Sequence, residues 1–198
     1  MKKSVLVFSS LLILFSFSHF SEDKDTKNTT VVPPPEALIS SEVSTLDSSA
    51  NAAWAVMAKA DSQKFADIRR LLQEISYCKK YNEKEYEYLM KETNSVYGMR
   101  YTISTLSDST IVAYDSATTI LVQKVRALKS KTPEILQHPL AEQLENEIMK
   151  AETEDIIRYR NNYDRAAQEY NTYLDKHQEA LSKSGTTYIK KPLFAVML

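Results

Sequence analysis

The chain has 198 residues, 43% of them hydrophobic and 26% charged, which is the composition of a globular protein rather than a disordered one. With 25 basic and 26 acidic residues the net charge is −1, so no basic surplus marks a nucleic-acid partner. Only two glycines occur, and three of the six prolines are consecutive at Pro33–Pro35. Long stretches without turn signals exclude a hairpin-rich fold and favour few, long helices.

The chain begins MKKSVLVFSSLLILFSFSHFSEDKD. A basic end is followed by an apolar run from Val5 to Phe20 and then by acidic polar sequence. As a helix this run would be shorter than the ~30 Å hydrocarbon core of a bilayer, and Ser16 and Ser18 are small residues before a possible cut. The segment 1–20 therefore reads as a signal peptide, with an uncleaved signal-anchor left open. Either reading exports the remainder. No cysteine follows that could carry a lipid. Residues 21–40 read as a polar linker that the proline triplet stiffens.

The first long segment, about 41–80, repeats apolar residues at steps of three and four: Leu46, Ala50, Trp54, Met57, Phe65, Ile68, Leu72, Ile75 and Cys78. This is a helical stripe, with Asp61 as its one polar member and Trp54 as a core anchor. A second helix is expected over 83–96, with Tyr86, Leu89, Met90 and Thr93 on one side. Residues 97–110, YGMRYTISTLSDST, lack a period and read as a loop. A third helix follows over 110–131, carrying Ile111, Tyr114, Ala117, Leu121, Val125 and Leu128. Lys124, Arg126, Lys129 and Lys131 crowd its end, where cations suit the negative pole of a helix; a membrane or phosphate patch is the sharper alternative.

Thr132-Pro133-Glu134 has the form of a helix start, with Thr132 as cap, and Pro139 imposes a kink or restart. From Leu140 an unbroken stripe runs through Leu144, Ile148, Ala151, Asp155/Ile156, Tyr159, Tyr163, Ala166, Tyr170 and Leu174 to His177 and Leu181. Gly185 closes it. The four tyrosines at 159, 163, 170 and 173 fall on one face and are expected to be rings in a helix–helix seam. The fold class expected is all-α: an elongated antiparallel up-and-down bundle of about four helices over 41–185, with coiled-coil character, an N-terminal hydrophobic helix and linker, and a tail over 186–198.

The search for chemistry is short. The histidines, His19, His138 and His177, form no ligand spacing with one another or with the single cysteine, Cys78, so no metal set is assigned. Cys78 is expected to be buried. Two distant glycines exclude phosphate-loop and dinucleotide motifs. The acid clusters EQLENE (142–147) and AETED (151–155) read as helix surface. No catalytic, cofactor-binding or metal residues are assigned, no cofactor is expected, and the chain is read as not an enzyme.

Residues 163–171, YDRAAQEYN, resemble the Tyr-Asn-x-Ala-Val-x-x-Tyr-Asn signature of the LemA family. Ala53-Trp54 and Lys64 to Leu72 resemble its Ala-Trp and basic-aromatic-Asp-Leu-Ile stretches, NEKEYEYLMKETNS (82–95) its Glu-Lys-Glu segment, and Thr132-Pro133-Glu134-Ile135 its Tyr-Pro-Asp-Leu. Asp164 and Ala167 depart from the signature, as does the ending YIKKPLFAVML, so the chain resembles a divergent member. The resemblance implies a bundle outside the cytoplasm of a bacterial cell, tethered to the cytoplasmic membrane by its N-terminal segment, or periplasmic if the leader is cleaved. The family has no established enzymatic activity, and it resembles a group of magnetosome membrane proteins. The function expected is a non-enzymatic interaction scaffold in envelope or membrane organisation. Its partners would be the bilayer, through the N-terminal segment, and unidentified envelope proteins or further copies of the chain. The alternative is a soluble periplasmic ligand-binding module with a pocket between helices.

Overall fold

The computed structural model describes residues 36–194, with side chains from Leu38. The segment 1–20 read as a signal peptide or anchor, most of the stretch read as linker and the last four residues lie outside the described residues. Within them the protein is all-helical, with no strand. Among the described residues no helix is long and apolar enough to cross a membrane.

Helix α1, Glu36–Ser76, has 41 residues, about 60 Å of helix at 1.5 Å per residue. It begins directly after the prolines, inside the stretch read as linker, because a proline triplet stops a helix N-terminal to itself but not one that follows. Helix α2 spans Glu83–Gly98. Asn82 caps it, its side-chain oxygen accepting from the Glu85 amide at 3.2 Å, with Glu83 and Glu85 in the first turn; both features suit the positive end of a helix. Residues 99–107 form the expected loop, with a short 3₁₀ turn at Ile103–Thr105. Helix α3, Asp108–Ser130, starts on the Ser107 cap.

The Thr132-Pro133-Glu134 start yields only a 3₁₀ turn, Pro133–Gln137. Thr132 does not cap it. Its hydroxyl donates back to the Leu128 carbonyl at 3.0 Å, so the side chain finishes α3 instead. The restart at Pro139 is observed: α4 is Pro139–Lys150. The stripe expected to run unbroken from Leu140 is interrupted twice. Ala151–Asp155 is a π turn, in which the Ile156 amide bonds to the Ala151 carbonyl, and α5, Ile156–Lys176, ends at His177 before a short α6, Gln178–Lys183. Leu140 is 37% exposed and Ala141 is buried in its place. Gly185 takes φ 70°, as a glycine that ends a helix should.

Helix α1 is the common partner of α2, α3, α4, α5 and α6. Its second half enters the main core, where Phe65, Ile68, Leu71, Leu72 and Ile75 meet Leu89, Leu121, Val125, Leu128 and Ile148. Nearer its start, Met57 packs with Tyr163 and Ala167, and Ile39 and Val43 with Tyr170, Leu174 and Leu181. Of the four seam tyrosines, Tyr163 and Tyr170 are buried, while Tyr159 and Tyr173 are half-buried. Cys78 is buried.

Candidate functional site

Trp54, Met57, Ala58 and Asp61 recur at helical spacing on one face of α1. Arg100, Tyr101 and Thr102 from the loop after α2, Tyr114 of α3 and Ile156 of α5 face them across a cavity of about 250 Å³. Asp61 is the charged member of the core stripe of α1. Its side chain is 10% exposed, and its Oδ2 accepts from the Tyr114 hydroxyl at 2.6 Å. Its Oδ1 is buried, accepts no hydrogen bond among the described residues, and lies 3.4 Å from Lys64 Nζ. Burial, and then the negative charge of Asp61, pushes the Tyr114 hydroxyl far above the ordinary tyrosine value, so Tyr114 is a fixed donor to the carboxylate.

Arg100 is the opposite charge at the cavity. Its guanidinium lies over the Tyr97 ring, 3.5 Å from the centroid, donates through Nη1 to Ser62 Oγ at 2.9 Å and through Nε to the Tyr97 carbonyl at 3.1 Å. No carboxylate pairs with it among the described residues. Tyr101 completes the wall. Burial raises its hydroxyl to about 12, even though Arg160 opposes the shift. Arg160 donates to it at 2.7 Å while gripping Asp115 with two nitrogens.

The π turn builds the layer behind the carboxylate. It carries Glu152, whose Oε2 accepts from Lys64 Nζ at 3.0 Å and whose Oε1 accepts from the Thr119 hydroxyl at 2.9 Å. Lys64 is 4% exposed and held between Asp61 and Glu152. Glu152, expected on the helix surface, thus points inward with 16% of its side chain exposed. A charged trio at this depth persists only where every member is paired, since a lone buried charge costs several kcal/mol.

The signature-like stretch 163–171 has a different task. The Tyr163 hydroxyl donates to the Pro192 carbonyl at 3.0 Å, and Asp164 Oδ1 accepts from the Phe194 amide at 2.8 Å. Asn171 bonds both the amide and the carbonyl of Lys191 at 2.8 Å. The tail therefore folds back as far as it is described. Phe194 stacks on Trp54 with centroids 6.0 Å apart, which closes the aromatic cluster beside the cavity.

Other candidates from the sequence are accounted for by neighbours. Lys124 pairs with Glu92, Lys131 with Glu85, and Arg126 and Lys129 with Glu145, so carboxylates neutralise the basic end of α3. His177 lies against the Tyr173 ring. His138 Nδ1 is 3.2 Å from Glu74 Oε2, and its Nε2 is 3.9 Å from Cys78 Sγ. The order thiol, imidazole, carboxylate is that of a nucleophile relay. Burial raises the Cys78 thiol, helped by Glu134 and Glu74, which is opposite to the shift that makes a thiolate. No group of side chains that could hold a metal ion occurs among the described residues.

The sequence marked one of the two charged groups at the cavity. Asp61 was visible as a polar residue in an apolar stripe. Arg100 and Tyr101 lie in the segment without a period, where spacing carries no information, although a basic-aromatic pair beside Gly98 was there to notice. No known protein-family model matches the chain, and no curated protein or solved structure is significantly similar to it.

Proposed function

We propose that the chain is a non-enzymatic extracytoplasmic binding protein: an elongated antiparallel bundle, exported and tethered by its N-terminal hydrophobic segment, that holds a small ligand between its helices at Asp61. The antiparallel reading is supported by pairings along α1, where Val43 lies with Leu174, Met57 with Tyr163, Lys64 with Glu152 and Glu74 with His138. Export and tethering are supported by the apolar run Val5–Phe20. Divergent LemA membership is supported by the order of the motifs.

One observation carries the binding reading: a cavity of about 250 Å³ is lined at once by the Asp61 carboxylate, whose Oδ1 accepts no hydrogen bond among the described residues and has only the ion pair with Lys64 at 3.4 Å, and by a guanidinium without a carboxylate partner among them. Interior polar groups are costly unless paired, so these two groups are candidates to meet a ligand's charges. Native mass spectrometry of the protein incubated with the low-mass fraction of a bacterial extract tests this. The expected result is one small-molecule adduct that Ala58→Leu, which fills the cavity, abolishes. No adduct, or one unaffected by the substitution, overturns the reading.

An interaction scaffold in envelope or membrane organisation is the second reading, favoured by the outer face of α3. From Ser109 to Gln123 its exposed residues are uncharged and include Val112 at 64% and Ile120 at 49% exposure. On this reading self-association, followed by sedimentation velocity, would be lost in Ile120→Glu.

A further inference from the structure

We infer that the Asp61 cavity takes a free α-amino acid with an apolar or aromatic side chain, its ammonium at Asp61 and its carboxylate at Arg100. The inference rests on the binding reading above and adds the chemical class of the ligand.

The charges are the first argument. An amine alone would bring a cation beside Arg100, whose guanidinium already lacks a carboxylate partner among the described residues. A carboxylate alone would bring an anion to Asp61, which already shares Lys64 with Glu152. A zwitterion satisfies both walls and leaves the net charge of the cavity unchanged. Charge-assisted hydrogen bonds at both ends are the strong kind, and a charged end taken out of water is not cheaply left unpaired.

Spacing is the second argument. Arg100 is tied by Nη1 to Ser62 Oγ at 2.9 Å, and Ser62 adjoins Asp61 in the chain. The guanidinium is therefore tied to the same turn of α1 as the carboxylate, and both side chains line the cavity without an ion pair between them among the described residues. Opposite charges that line one cavity without pairing with each other suit a ligand that carries both charges on one small head.

Size and lining are the third. An apolar cavity of roughly 150 Å³ accepts benzene, whereas drug-sized ligands occupy roughly 300–1,000 Å³. About 250 Å³ leaves space for one ring or branched alkyl group and an amino-acid head. Trp54, Met57, Tyr101 and Ile156 supply apolar walls for that side chain. The Tyr97 ring under Arg100 and the Tyr114 hydroxyl on Asp61 hold both charged groups in place before a ligand arrives, which reduces the ordering cost of binding.

The test is a titration of the protein with L-leucine and L-phenylalanine and with the N-acetyl and carboxamide derivative of each. It is read by the emission of Trp54, the single tryptophan of the chain. Binding by the free amino acids is expected, about tenfold weaker or more when either end is blocked, the scale of one lost charge-assisted hydrogen bond. Arg100→Gln should bind the amide as well as the acid, and Asp61→Asn should bind the acetylated form as well as the free amine. If Asp61→Asn fails to fold, the derivative series on the unaltered protein decides alone. Equal binding of parent and blocked forms overturns the inference, and so does silence towards every amino acid. Where amino acids fail but the extract still gives an adduct that Ala58→Leu abolishes, this inference falls and the binding reading stands; where both are silent, both fall.

Discussion

Beyond Phe65 the buried face of α1 meets mainly aliphatic side chains, with Ile68, Leu72 and Ile75 wholly buried. Around Trp54–Asp61 its neighbours are rings and polar groups: Trp54 meets Tyr101, Tyr163 and Phe194, Asp61 meets Tyr114, and the tail is pinned through its backbone by Tyr163, Asp164 and Asn171. One helix thus serves two kinds of packing. Aliphatic side chains interlock without direction and fill space to near-crystalline density. Rings and hydrogen-bonded charges have preferred geometries, and where these converge, a cavity remains. This division predicts that substitutions in the first region cost stability and that substitutions in the second change binding.

The sharpest way to break this comparison is at the boundary between the regions. Lys64→Met leaves Asp61 and Glu152 buried without their shared cation and should cost about 3–5 kcal/mol in denaturant unfolding, with part of the loss restored by adding Glu152→Gln. Leu72→Ala, in the aliphatic region, should cost about 2–5 kcal/mol while leaving adduct formation at the cavity intact once the protein is folded. Asn171→Ala removes two backbone hydrogen bonds of the tail and should cost about 1–3 kcal/mol. Its distinctive sign is new protease cleavage around residues 186–194 with the helices still resistant. If unfolding and cleavage rise together throughout the chain, the two regions are not separable.

The smallest effect is in pH. Burial raises the Glu145 carboxyl, but hydrogen bonds from Lys129 and Arg126 outweigh it, so its folded value lies below the ordinary one. A depressed carboxylate contributes stability that is complete above its unfolded value and is lost as pH falls through the folded one. Glu145→Gln should remove that acid-side slope and leave ligand binding alone. On the alkaline side the signs reverse. Tyr101 and Tyr163 are raised to about 12, so their contribution is complete below the ordinary tyrosine value and is lost as pH rises through the folded one. Tyrosinate absorbance should therefore show these two ionising well after exposed tyrosines, and Tyr101→Phe should remove one late step.

The helices were legible where one period runs undisturbed. The second and third were expected over 83–96 and 110–131 and are found at Glu83–Gly98 and Asp108–Ser130. Legibility failed where one residue changes the phase. A π turn adds a residue to a helical turn, and Ala151 with Asp155/Ile156 fits the apolar spacing on either count, so neither the π turn nor the inward aim of Glu152 could be read from spacing. Leu140 and Ala141 exchange roles because the restart at Pro139 sets its own phase. Thr132 has the sequence of a cap, but its hydroxyl finds the Leu128 carbonyl first. Tyr163 read as a seam residue and Asn171 only as part of the signature-like stretch 163–171, whereas their polar ends hold a tail that carries no periodic signal of its own. Asp61 stood out because a charge in an apolar stripe needs a reason; Arg100 had no pattern to violate.

The most direct test of the central claim, that the Asp61 cavity is the place where this bundle meets its ligand, is an amide NMR spectrum of the protein with and without the low-mass extract. The account predicts shifts confined to residues 54–61, 100–102 and around Tyr114, absent in Ala58→Leu. Shifts confined to the outer face of α3 at Val112 and Ile120, or none at all, would contradict it.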